Sequence, residues 1–142
     1  MRWYLAERCP TYIYSSRDAH RPAFVVHAVQ RALMEFGNQM DMFADLDRDF
    51  HRSLFEAIGM ALLHESLTNR LGHLYRCQRL ELPREGRAQD IVEAHSAILQ
   101  GIKSGDPDRA AAAVRAHLSG TISRVESIRA EHPDYFTGGV LR

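Results

Sequence analysis

Asp47 and His51 stand four residues apart in the run Asp47-Arg48-Asp49-Phe50-His51, directly ahead of Leu54-Phe55-Glu56-Ala57-Ile58. On an α-helix this spacing puts a carboxylate and an imidazole on one face, where both can reach a single point. Two further histidines, His95 and His117, each fall in the apolar stripe of a separate helical pattern. A buried imidazole needs a partner for each ring nitrogen, and three without partners would cost several kcal/mol together. One cation shared by all three removes that cost. Three neutral nitrogens and the Asp47 oxygen, converging from facing helices, suit Zn²⁺, with Ni²⁺ or Mn²⁺ as alternatives. Four protein ligands on a five- or six-coordinate ion leave positions for water or a small anion. Such a site serves a sensor and an enzyme equally well, and hydrogen-bonded core histidines without metal are the alternative to both.

The elements that must carry these residues read as helices. Pro22 suits a first helical turn, and Val26, Val29, Leu33 and Phe36 follow at spacings of three and four before a Gly37-Asn38 stop. A second helix is expected from about Asp41, as its N-cap, to Ile58, with Phe43, Leu46, Phe50, Leu54 and Ala57 inward and the Asp47/His51 pair at the edge of that face. Gly59 closes it. A third helix runs from Ala61 with Leu63, Leu67, Leu71, Leu74 and Gln78 on one side, until the breaker Leu82-Pro83-Arg84-Glu85-Gly86. The fourth, about Ala88 to Lys103, turns Ile91, Val92, Ile98, Leu99 and Ile102 inward, with His95 at the centre of the stripe. Ser104-Gly105 ends it, and Asp106-Pro107 starts a fifth with an N-cap aspartate and proline at the first position. Ala113, Val114, Leu118, Ile122, Val125 and Ile128 are read as its apolar side, with His117 among them, and it fades at His132-Pro133 before a Gly138-Gly139 tail. No period-two pattern is convincing, so the fold expected is an all-α antiparallel helical bundle over residues 22–132, between a lead at 1–21 and a tail at 133–142.

A chain of 142 residues, 45% apolar and 25% charged, is one ordinary globular domain. Its 18 basic and 18 acidic residues argue against a broad positive field that grips phosphate backbones. No apolar run approaches the roughly 20 residues that span a bilayer, and the first residues lack a signal-peptide stretch, so no membrane contact and a cytoplasmic address are expected. Cys9 and Cys77, far apart, favour reduced thiols over a disulfide framework. The remaining histidines, His20, His27, His64, His73 and His132, read as surface or half-buried polar residues.

Three blocks, Leu46-Asp47-Arg48-Asp49-Phe50-His51-Arg52-Ser53-Leu54, Glu93-Ala94-His95-Ser96-Ala97-Ile98-Leu99, and Gly105-Asp106 through Ala116-His117-Leu118, resemble the FCD domain. This is the C-terminal effector-binding domain of FadR-like transcription regulators in the GntR family. The likeness extends over about residues 24 to 130. It implies a metal held by Asp47, His51, His95 and His117, a small carboxylate effector completing the coordination sphere, and a homodimer whose effector binding reorients attached DNA-binding domains. Two features depart from the pattern. Met60 follows Gly59 where the family usually has an asparagine, which acts as a cap between helices. The winged helix-turn-helix and the first helix of the effector domain have no counterpart in the first twenty or so residues, so the chain reads as a fragment, a truncated product or a stand-alone descendant.

The leading expectation is therefore a metal-dependent organic-acid sensor domain of a transcription regulator. Arg76 and Arg79 are its candidate carboxylate partners, because arginine grips carboxylates in a fork; solvated surface charge is the alternative for each. The competing reading is a small metal-dependent hydrolase, weakened because Asp49 and Glu93 lie two residues from Asp47 and His95 and so on other faces. A third is a dimerisation bundle whose histidines only satisfy core hydrogen bonds.

Overall fold

The computed structural model describes residues 21–35 and 39–136. The expectations for the aromatic lead and His20, for Phe36 and the Gly37-Asn38 stop, and for the Gly138-Gly139 tail fall outside those residues. Among the described residues six helices follow one another: α1 (Arg21–Glu35), α2 (Met40–Ala57), α3 (Ala61–Arg70), α4 (Gly72–Glu81), α5 (Arg87–Ser104) and α6 (Pro107–Glu131), then a short 3₁₀ turn over Pro133–Tyr135. No strand occurs among the described residues, and the fold is the expected all-α bundle.

Local chemistry explains most boundaries. Gly59 and Gly105 end α2 and α5 with φ of 71° and 80°, in the left-handed region glycine tolerates best. Asp106 caps α6, its carboxylate accepting from the backbone N–H of Asp108 and Arg109 at 3.0 Å each, with Pro107 behind it. Met60, where the family's asparagine would stand, occupies the N-cap of α3 and makes no side-chain cap bond.

Three boundary and packing expectations need correction. Gln39, not Asp41, is the N-cap of α2; Asp41 lies in the first turn, where its negative charge still favours the positive end of the helix. The single third helix is two, broken at Leu71, because Gly72 weakens helix there and the chain turns to bring α4 against α2. On α6 only Ile128 is fully buried, while Val114, Leu118 and Ile122 are 38%, 53% and 62% exposed. The face that α6 turns inward is the neighbouring one, with His117, Thr121, Arg124, Val125 and Ile128, which periodicity alone did not separate from the Leu118 row.

The core lies in two apolar clusters along the bundle axis. Phe43, Ala44, Leu82, Ile91 and Val92 form one, with Met34, Met40 and Ala88 against it. Ala23, Phe50, Ile98 and Leu99 form the other, with Val26, Leu54, Ile102 and Ala113. These pairings make α1 antiparallel to α2 and set α2 and α5 in the same direction. Each fully buried large side chain among them contributes roughly 1.5–3 kcal/mol of transfer free energy. Between the clusters runs a polar layer: Gln30 on α1, Asp47 on α2 and His95 on α5 are all buried.

α5 and α6 pack at close range. A Cβ added to Gly101 would stand 2.6 Å from the Cα and 2.8 Å from the N of Ala110. Those are backbone atoms and cannot swing aside. Gly101→Ala is therefore expected to push the two helices apart and lower stability by about 1–3 kcal/mol, despite alanine's better helix propensity. A denaturation midpoint equal to or above that of the unaltered chain would show that the contact is not strained.

Candidate metal centre

The polar layer is where the four residues singled out by the sequence meet. Asp47 sits inside the buried face of α2, not at its edge, because α5 and α4 close over it. His51, one turn later on α2, is half-buried, and its Nε2 is 3.9 Å from Asp47 Oδ2. His95 comes from the middle of α5 with no exposed surface, its Nε2 3.4 Å from Asp47 Oδ1. His117 enters from α6. The imidazole centroids lie 5.2 Å apart for His51–His95, 5.2 Å for His51–His117 and 5.1 Å for His95–His117. One ring nitrogen from each histidine can be chosen so that all three lie within 4.8 Å of one another.

The surrounding residues orient these groups. Gln30 on α1 presents its amide oxygen 3.0 Å from His95 Nδ1, so Nδ1 carries the hydrogen and donates it. Nε2 is left with a lone pair directed into the layer. Phe50 lies flat against the same ring, with centroids 3.8 Å apart and planes 10° from parallel, and prevents it from rotating. Gln78 on α4 donates from Nε2 to Asp47 Oδ2 at 2.7 Å. Asp47 thus keeps Oδ1 for His95 while Gln78 anchors Oδ2, which also lies on the His51 side, an outer-shell arrangement that fixes ligands in metal sites.

Burial keeps His95 and His117 neutral. Burial pushes His95 far below the ordinary histidine pKa, and the nearby His51 and His117 add to it. His117 is lowered to about 4, chiefly by burial and then by His51, with Asp47 opposing. Neutral imidazoles are the form that ligates a cation.

His95 Nε2 is the atom that tests the fit of a metal. It is buried and makes no hydrogen bond, an expensive state for a nitrogen lone pair unless something electropositive faces it. Two ligand atoms each about 2.1 Å from one ion stand about 3.0–3.4 Å apart for angles between a right angle and a tetrahedral one, and the His95–Asp47 separation of 3.4 Å matches. His51, with 31% of its side chain exposed, leaves the cluster open to solvent on one side. The residues fit a divalent ion, and the three histidines could hold one.

The other candidates are placed differently. Arg76 is exposed and meets His73 one turn away; Arg79 is 60% exposed and pairs with Asp41 at 3.0 Å. No hydrogen bond or ion pair joins either to the four converging residues. His27 is half-buried, its Nε2–H against the Val92 carbonyl at 3.2 Å and the Ser96 hydroxyl at 2.9 Å. His64 is half-buried, and His73 and His132 are exposed. Gln30 and Phe50 were missed as positioning residues, and Gln78 was read only as part of an apolar side. Their signal was available: Gln30 follows Val26, and Gln78 follows Leu74, by one helical turn on inward faces.

Comparison with known proteins gives the family of the chain. The profile of the FCD domain family matches residues 18–120. The chain belongs to the FCD domain family. A Streptomyces ambofaciens protein described as an uncharacterized HTH-type transcriptional regulator in an unstable DNA locus is 31% identical over 97 residues. That match takes in 68% of this chain and 41% of the relative, so the FCD chain spans less than half the length of the regulator it resembles. The matched FCD segment contains Asp47, His51, His95 and His117. No helix among the described residues is long and apolar enough to cross a membrane.

Proposed function

We propose that this FCD domain is the ligand-sensing part of a transcription regulator, and that Asp47, His51, His95 and His117 hold a divalent metal, Zn²⁺ first among the candidates, at which a small organic acid is recognised. The observation that carries the reading is the buried, unpartnered Nε2 of His95, its other nitrogen committed to Gln30, facing Asp47 and two more imidazoles. When bound, the ion supplies Lewis-acid positions open to an oxygen ligand. Asp47 brings the one negative charge of the centre, Gln78 and Gln30 hold the ligating groups in place, and His51 borders the solvent-facing entrance. DNA would be read by a separate module in the regulator rather than by this neutral bundle, and ligand binding would bias how paired domains sit. The exposed row Val114, Leu118 and Ile122 on α6 supports self-association as a homodimer.

A hydrolase reading is not favoured by the two carboxylates nearest in sequence to the ligating residues. Asp49 is engaged by Arg52 at 3.0 Å, and Glu93 is exposed and accepts from Gln89 at 2.6 Å. Neither faces the centre.

Metal content after dialysis against zinc, measured by elemental analysis, tests the reading together with the shift in melting temperature on adding organic acids. Close to one ion per chain and a further rise in melting temperature with an organic acid, seen only in the zinc-loaded form, are expected. Far less than one tightly held ion per chain would sink the metal reading. A full ion with no response to any organic acid would sink the sensing.

A further inference from the structure

Two buried atoms of the polar layer go without a partner, and both belong to one hydrogen-bonded pair of side chains. Gln30 on α1 and His95 on α5 have no exposed surface. As they stand, His95 Nδ1 donates to Gln30 Oε1 at 3.0 Å, while Gln30 Nε2 and His95 Nε2 each lack a hydrogen bond. Two unmet groups at one contact are costly in so closed a space. Turning the Gln30 amide end over end changes the count. Its Nε2–H then donates to a bare His95 Nδ1, and the ring hydrogen, now on Nε2, faces Asp47 Oδ1 at 3.4 Å. A small shift of that oxygen, whose companion Oδ2 is held by Gln78, closes this to a charge-assisted hydrogen bond. Only Gln30 Oε1 is left over, and an unmet carbonyl oxygen is better tolerated than an unmet N–H. The imidazole does not reach the same end by turning itself, because Phe50 stacks on it at 3.8 Å.

We propose that the Gln30 amide is a two-position latch on the histidine centre. With its oxygen toward His95 the ring is ready to ligate; with its nitrogen toward His95 the ring bonds Asp47 and the centre is closed on itself. The inference rests on the metal reading proposed above and adds how the metal-free and metal-loaded forms differ. The ring stays neutral in both positions. One proton leaves Nδ1, and one arrives at Nε2 from water on the side that half-buried His51 leaves open. Loading with a divalent ion must undo the Asp47–His95 bond, so the apparent affinity is reduced by the fraction of chains whose amide is in the ready position. An amide can do this and a carboxylate cannot. Carboxylate oxygens only accept, so Gln30→Glu keeps the hydrogen on Nδ1 and makes the ring a stronger donor to a metal. Gln30 thereby holds the ion exchangeable.

The test uses the full chain, unaltered and as Gln30→Glu, with nitrogen-15 in the histidine rings. Zinc per chain is measured first, so that failure of the metal centre is seen on its own. Long-range proton–nitrogen spectra of the chelator-treated and zinc-loaded proteins then report which nitrogen of His95 carries the hydrogen, and competition with a chelator of known strength gives the zinc affinity. In the unaltered chain the hydrogen is expected on Nε2 without zinc and on Nδ1 with it. In Gln30→Glu it is expected on Nδ1 in both forms, with zinc held about tenfold or more tighter. A zinc-binding unaltered chain that keeps the hydrogen on Nδ1 in both forms overturns the latch and leaves the metal reading standing. So does a folded Gln30→Glu that binds zinc no tighter than the unaltered chain. An unaltered chain that takes up no zinc overturns the metal reading and the latch with it. Should Gln30→Glu fail to fold by circular dichroism, the two spectra of the unaltered chain decide alone, and a hydrogen that does not change nitrogen overturns the latch.

Discussion

His95→Ala is expected to abolish stoichiometric zinc binding and to give the largest loss of stability of any single substitution in the centre. The ring has no exposed surface, stacks on Phe50 at 3.8 Å and donates to Gln30 at 3.0 Å. Its removal opens a cavity in the polar layer and strands the Gln30 oxygen and one oxygen of Asp47 in a buried space. Cavity formation and unpaired polar groups together cost about 2–5 kcal/mol, which for a domain of this size lowers the melting temperature by roughly 10 °C. Asp47→Ala is expected to lose the metal too, since it removes the only negative charge among the four and leaves Gln78 Nε2 without its 2.7 Å acceptor. Chelation of the unaltered protein should lower its melting temperature, and His95→Ala should be indifferent to chelator. Zinc content after dialysis and melting curves with and without chelator measure both. A His95→Ala protein carrying as much zinc as the unaltered chain would refute the ligand set.

Acidification of the metal-free protein is the second large expected effect. A histidine whose folded pKa lies below its unfolded value stabilises the fold only while it is neutral. Between the two values the unfolded chain binds the proton and the folded one does not, so stability falls as pH falls. For His117 that window runs from about 6.5, the unfolded reference, to about 4. The loss across it is roughly 3 kcal/mol. His95 shifts further in the same direction, and half-buried His27 and His64 are lowered as well. Glu131 is also lowered, by its bond to Arg84, but contributes only below the ordinary carboxylate pKa, so its loss comes later in the titration. With zinc present the same window should be steeper, because protons and metal compete for the same nitrogens. Melting temperatures from pH 7.5 to 4.5 in chelator should decline continuously, and the decline should shrink in His117→Asn. A flat profile between pH 7 and 5 would mean that these rings are not held neutral by burial.

Much of this was legible in the chain because helices write their periodicity locally. Gly59, Gly105 and Asp106-Pro107 marked their boundaries through backbone conformation and capping, which depend on neighbours in sequence. Asp47 and His51, a turn apart, were bound to share a face whatever packed against it. His95 stood in an unbroken stripe of Ile91, Val92, Ile98 and Leu99, all of which are buried. Reading Asp41 as the cap of α2 failed by two residues, since an exposed aspartate is favourable both at an N-cap and within the first turn. On α6 the apolar rows are ambiguous: Ala113, His117 and Val125 border the buried side, while Val114, Leu118 and Ile122 stand out in solvent. Hydrophobicity alone gives such a helix no single inward direction.

What the sequence determined by itself, then, was the helical class, most helix ends, and which four residues could ligate a cation. Only the tertiary structure decided that they do meet. The axial level at which His95 faces His117 depends on how α5 slides along α6, set by contacts such as Gly101 against Ala110. The tautomer of His95 depends on Gln30, 65 residues away. Periodicity reports which side of a helix avoids water, whereas a binding site depends on which groups from different helices arrive at one depth.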